Sequence, residues 1–181
     1  AWVADDGGEQ LATSAVQRLI ENVAIDPATI DVVFYAGATA ASHAARGDGL
    51  GAFSYPAAKL QYDCGFVNAR PIGVSQAGCL GLMTAISLGR AQLTADPALR
   101  RVLCVSVDLL STGGTREILY NVISDGACAV LLERGDGRNR IVAERQITKG
   151  YYWDCEALGN EIVAAYIPTA RTIIGDTLAA S

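Results

Sequence analysis

Val74-Ser75-Gln76-Ala77-Gly78-Cys79-Leu80-Gly81-Leu82-Met83-Thr84-Ala85-Ile86 is where two periodicities of this chain meet. Pro71 to Val74 is an apolar run that reads as a buried strand. Leu80, Met83, Ile86 and Leu88 then recur at helical spacing, predicting a helix from Cys79 to about Leu93. Apart from Gln76 the residues between are small, as suits a tight strand-to-helix turn. A cysteine at the first turn of a helix faces unpaired backbone N–H groups and the positive end of the helix dipole. Both favour thiolate over thiol, so a pKa ordinarily near about 8.5 falls toward the working range of a nucleophile. Gly78 and Gly81 leave room for a substrate to approach the sulfur. Most free cysteines only fill space in a core, and the helix-start position is what separates Cys79 from them.

On either side, strand and helix alternate. Residues 9–24 place Leu11, Ala15, Val16, Leu19, Ile20 and Val23 on one helical face. Asp26-Pro27 reads as an N-cap and first-turn proline of a short turn. Ile30 to Ala36 is a nearly continuous apolar run, hence a strand covered on both faces. Residues 37–56, rich in Gly, Ala and Ser, read as a surface loop. Its Gly47-Asp48-Gly49-Leu50-Gly51 matches neither the dinucleotide nor the Walker phosphate pattern. Pro56 to Tyr62 predicts a short helix. Asp96-Pro97 opens a turn, Arg101 to Val107 a buried strand, and Ser111 to Thr115 a polar turn. Glu117 to Val122 reads as a helical patch and Ala127 to Glu133 as a strand. Gly135 to Asn139 forms a tight turn leading to a hairpin partner over Arg140 to Thr148. Asn160 to Ala180 is helical, with Pro168 marking a kink or a break. This order predicts one α/β domain, residues 1–181, with a mixed sheet covered by helices.

The net charge of −5 and the lack of a basic run exclude nucleic acid as an expected partner. No apolar run approaches the roughly 18 residues a membrane span needs, and the expected location is the cytoplasm. Five cysteines, Cys64, Cys79, Cys104, Cys128 and Cys155, lie far apart, with no C-x-x-C pair and no neighbouring histidine. That argues against a metal site and against a closed disulfide framework. Cys104 and Cys128 sit inside strand-like runs and read as core filler.

Ser75-Gln76-Ala77-Gly78-Cys79-Leu80-Gly81 resembles the nucleophile motif of the β-ketoacyl-acyl-carrier-protein synthase III family of the thiolase superfamily. Ser124-Asp125-Gly126-Ala127-Cys128-Ala129-Val130-Leu131-Leu132 resembles that family's Gly-Asp-Gly-Ala-Gly-Ala-Val strand entry, with Ser124 and Cys128 in place of glycines. Thr39-Ala40-Ala41-Ser42-His43 stands where its members carry an acyl-pocket loop. The resemblance implies a thiolase-like fold, of which this chain corresponds to the amino-terminal half of the duplicated arrangement without its first strand. It implies that Cys79 takes an acyl group from acyl-CoA or acyl-carrier protein as a thioester and passes it to a malonyl thioester or another acceptor. The Cys79 N–H would form half of an oxyanion hole. Thr39 would contact the acyl group, and Asp125 and Gly126 would hold the strand entry beside the site. No cofactor is implied beyond the thioester substrates. A homodimer, paired through the strand Pro71 to Ser75, is the implied assembly.

Departures from the family pattern bear on the reaction. The family's catalytic His and Asn come from the second half of the fold. The only histidine here, His43, falls on the pocket loop, and Asn121, Asn139 and Asn160 fall in turns or at a helix start. The chain is therefore expected to be a slice of a larger protein, or one partner of a split enzyme that pairs with a segment supplying the second half-fold. Arg116 could reach a phosphate, and Trp2 and Trp153 are packing candidates. An alternative to the enzyme is a non-catalytic partner subunit that shapes another chain's pocket. A third reading, 3-hydroxy-3-methylglutaryl-CoA synthase-like condensation, needs an acidic residue in the pocket loop, and residues 36–46 contain none.

Overall fold

The computed structural model describes residues 8–38, 55–110, 113–118, 121–135, 139–155 and 157–181. In chain order the elements are α1 (Gly8–Val23), β1 (Val32–Ala36), α2 (Pro56–Asp63), β2 (Arg70–Val74), α3 (Gly81–Ala95) and β3 (Arg101–Asp108). There follow β4 (Glu117–Ile118), β5 (Asn121–Val122), β6 (Gly126–Glu133) and α4 (Gly159–Ala179). They fall into two compact units, residues 1–116 with 124–135, and residues 117–123 with 136–181.

The first unit is built on a four-stranded sheet in the order β2-β1-β3-β6. β1 runs parallel to β2 and β3, and β6 closes the sheet antiparallel to β3, which makes it mixed as the sequence order predicts. β1 is buried at all five positions because it has neighbours on both sides and helices on both faces. Side-chain alternation divides the core in two. Val33, Tyr35, Leu103, Val105 and Val107 meet Ala12 and Val16 of α1 and Leu60 of α2. Val32, Phe34, Ala36, Val102 and Cys104 meet Ala85 and Leu93 of α3 on the other face. Gly89 is what lets α3 approach so closely: a Cβ there would stand 2.9 Å from both Leu132 Cδ1 and Val102 Cγ1. At the amino ends of β1 and β3, the Asp31 carboxylate accepts the N–H groups of Arg100 and Arg101 at 2.7 and 2.8 Å. The Asp26-Pro27 reading holds, since Asp26 caps a 3-10 turn over Pro27–Thr29 by accepting the Ala28 N–H.

Several expectations in this unit are corrected. The strand expected to be buried at Pro71 to Val74 is β2, an edge strand with Arg70 and Gly73 exposed. Its apolar residues are covered on one side only, and Pro71 suits an edge because it offers no N–H to a further strand. Cys104 is buried as expected, whereas Cys128 is exposed. Cys128 shares a row with Ser106 and Ala36, and α3 packs on Ala36 but leaves the edge-strand end of that row exposed, which position within a strand-like run does not reveal. Gly37 is buried and Ala38 half-buried, so the segment expected as surface loop starts inside the fold. Most of that segment, including Thr39 and His43, lies outside the described residues, as does Trp2.

In the second unit β4 and β5 pair antiparallel, where a helical patch was expected. Two residues separate the pairs, the spacing of a tight hairpin, and β-branched Ile118 and Val122 suit strands better than a one-turn helix. Residues 140–149 form no strand, against the expected hairpin partner. Ile141 and Val142 are exposed and adjacent, so they provide neither alternation nor a buried row to fix a register. Trp153, expected to pack, is 82% exposed. α4 runs through Pro168 without a break. Proline removes one helical donor, and the intact turns on either side sustain the helix. No residue of α4 is buried within the described structure, and Val163, Tyr166, Ile167, Ile174 and Leu178 are exposed.

Candidate active site around Cys79

Val74, the last residue of β2, is buried, and the chain must then reverse within a few residues to start α3. It does so through two residues in the left-handed region, Gln76 at φ +65° and Gly78 at φ +52°. Glycine takes that conformation freely, but for Gln76 it costs about 1–2 kcal/mol. Strain of this kind persists where the surrounding structure holds it, commonly at functional turns. A single 3-10 turn over Gly78–Leu80 follows, closed by the Leu80 N–H on the Ala77 carbonyl at 3.1 Å and the Gly81 N–H on Gly78. Cys79 therefore sits in the turn before α3 and not on its first α-helical residue, and its side chain is exposed.

The two glycines of the motif have different roles. A Cβ at Gly78 would meet nothing within 4 Å, so the space beside Cys79 is open there, as the sequence suggests. At Gly81 a Cβ would stand 3.2 Å from Ala36 Cβ and 3.6 Å from the Gly37 nitrogen. Gly81 is thus a packing contact that seats α3 on the end of β1, not an approach for substrate. The consequence is that the thiol turn is fixed at the carboxyl ends of the parallel strands, the side of an open α/β sheet where ligands bind.

Two further carboxylates border this end of the sheet. Asp108, the last residue of β3, accepts the Ala38 N–H at 2.9 Å. Asp125, just before β6, is buried and accepts the Leu110 N–H at 3.0 Å and both guanidinium nitrogens of Arg116 at 3.0 Å. The expected structural role of Asp125 holds, and Arg116 is engaged in this bidentate pair. Asp108 is the residue the sequence reading missed, its one local signal being a single charge ending a run of buried strand residues. Burial pushes the Cys64 and Cys104 thiols up, to about 11 and about 12, so both stay protonated and unreactive at neutral pH. Among the described residues no three His, Cys, Asp or Glu side chains converge as a metal site does.

This architecture, a thiol on a strand–turn–helix at the edge of a mixed sheet covered by helices, is that of a thiolase-like fold. ChlB3, described as an acyltransferase, superposes with a TM-score of 0.70 at 23% identity, covering 84% of this chain and 44% of its own. The 3-oxoacyl-[acyl-carrier-protein] synthase III of Aquifex aeolicus VF5 superposes with a TM-score of 0.65 at 20% identity, covering 83% and 46%. Residues 75–150 match the 3-oxoacyl-[acyl-carrier-protein (ACP)] synthase III family. The β-ketoacyl-[acyl-carrier-protein] synthase III of Lactococcus lactis subsp. lactis (strain IL1403) is 28% identical over 161 residues, 86% of this chain and 43% of the relative. Over these residues the chain is similar to the 3-oxoacyl-[acyl-carrier-protein] synthase III family, and its fold is thiolase-like. It spans less than half the length of the curated relatives it matches. No described helix is long and apolar enough to cross a membrane.

Proposed function

We propose that this chain carries the nucleophile of a β-ketoacyl-synthase-III-type acyltransferase. Cys79 attacks the carbonyl of acyl-CoA or an acyl-carrier-protein thioester. The new thioester forms at the sulfur, the old carbon–sulfur bond breaks, and the departing thiol takes the proton. A malonyl thioester or another acceptor then receives the acyl group. The observation that carries this reading is the exposed Cys79 held on a strained turn at the carboxyl ends of the parallel strands, inside the residues that match the family. Thr39 is proposed to contact the acyl chain. The chain is read as the amino-terminal thiolase-like half, with the acid–base His and Asn supplied by another segment or subunit. Among the described residues β2 is an edge strand, which supports pairing with a second copy, and the working location is the cytoplasm.

A burst experiment tests the reading. Mixed with acetyl-CoA in excess, the full-length protein should release about one equivalent of free coenzyme A per chain before steady turnover, the signature of a covalent intermediate. Cys79→Ala should abolish the burst, and a burst that survives this substitution would refute the assignment. A second reading is a non-catalytic partner that shapes another chain's pocket. No burst from the wild-type protein with any acyl thioester would support that alternative.

A further inference from the structure

The thiol turn shares its end of the sheet with one carboxylate that the family resemblance gives no role. Alternation places Asp108 on the face of β3 that Val102 and Cys104 present to α3. Ala36 is in register with Ser106, so Asp108 stands one pleat beyond the row on which Gly81 packs. That is the level of the turn carrying Cys79. The half-buried Asp108 carboxylate accepts the Ala38 N–H at 2.9 Å, a bond between residues 70 positions apart. Ala38 lies where the chain leaves β1, and the preceding Gly37 is buried against the start of α3. Gly37 and Ala38 are therefore held from two sides, by the seat of the thiol turn and by the carboxylate. The parallel pair does not need this bond for its register, which five matched positions and the Asp31 clamp already set at the other end. What the Asp108 bond fixes is the backbone of Ala38, where the chain leaves β1.

We propose that Asp108 is a positioning residue of the thiol site: by holding the Ala38 N–H it fixes the exit of β1 and so shapes the approach of an acyl group to Cys79. The inference rests on the reading of Cys79 as the acylated thiol. Its test compares the full-length wild type with Asp108→Ala and Asp108→Asn. The rate of Cys79 acylation is followed by intact mass against the concentration of acetyl-, butyryl- and octanoyl-CoA. Alkylation of Cys79 by iodoacetamide, a small reagent that needs no acyl pocket, is followed beside it, with hydrogen exchange of peptides containing Ala38.

Asp108→Ala is expected to raise the half-saturating acyl-CoA concentration about ten-fold, the scale of one lost hydrogen bond. Exchange at Ala38 should accelerate, and alkylation should stay within about two-fold because the thiol itself is untouched. The amide oxygen of Asp108→Asn can accept the same N–H, so this variant should stay close to wild type. An unchanged concentration dependence in Asp108→Ala overturns the proposal. So does a parallel loss of acylation and alkylation, which marks a collapsed site, and so does an Asp108→Asn variant no better than Asp108→Ala. Wild type that is alkylated at Cys79 but takes an acyl group from none of the thioesters refutes the acyl reading itself, and this inference with it.

Discussion

Asp125 has its two carboxylate oxygens on Arg116 and the Leu110 N–H while almost fully removed from water, with 1% of its side chain exposed. Removing one member of a buried pair leaves the other charge uncompensated, which typically costs about 3–5 kcal/mol. Asp125→Ala is therefore expected to lower stability by about 3 kcal/mol, and Asp125→Asn by less, because its amide oxygen still accepts. The midpoint of urea unfolding reports this, and an unchanged midpoint would contradict the clamp. Among the thiols, Cys104 is fully buried and Cys79 exposed, so iodoacetamide should label Cys79 in the native protein and Cys104 only after unfolding. Peptide mass spectrometry separates the two. The strand–turn–helix around Cys79 was legible from sequence because a change of periodicity marks it. Cys128 was misread because burial of a strand residue depends on how far along its row a helix reaches. Asp108 was illegible as a contact, since its partner lies 70 residues away.

At the scale of elements, α3 depends on small residues where it crosses the sheet. Gly89→Val places new atoms where Leu132 and Val102 already stand, and Val102 is stiff at χ1. The expected loss is about 1–3 kcal/mol from overpacking, read as a lowered melting temperature. A Gly89→Val protein as stable as wild type would show that α3 sits farther from the sheet than described. Strands β1 and β3 were legible because both are covered on two faces, which leaves continuous apolar runs in the sequence. β4 and β5 were not, because two-residue strands are shorter than either period can reveal. The expected partner of β6 failed for a related reason: apolar residues at 141 and 142 suggest a strand, but side by side they cannot both face a core. Pro168 was expected to kink or break α4, and the helix continues because only one backbone bond is forfeited there.

For the whole molecule, two buried acids and one half-buried thiol tie stability to alkaline pH. Burial pushes Tyr35 up to about 12 with help from the negative charge of Glu9, and pushes Cys104 to about 12 and Cys64 to about 11. Once pH exceeds the ordinary value of 9 for a thiol, the unfolded chain loses protons that the folded chain keeps. Stability is thus full below about pH 9 and falls as pH rises toward 12, and Cys104→Val should make the decline shallower. Melting temperatures between pH 8 and 10.5 would check this, and parallel curves for the two proteins would contradict it. The fold class was legible as a whole because strand order, helix alternation and one motif agreed. The pocket was not, since its expected contact Thr39 and the histidine His43 lie outside the described residues, and the acid–base pair was expected from elsewhere. Intact mass spectrometry of the full-length protein after incubation with acetyl-, malonyl- and longer acyl-CoA tests the central claim most directly, with Cys79→Ala alongside. The account predicts a single acyl adduct on the wild type that is absent from Cys79→Ala. An adduct that persists in Cys79→Ala, or none on the wild type with any thioester, would contradict it.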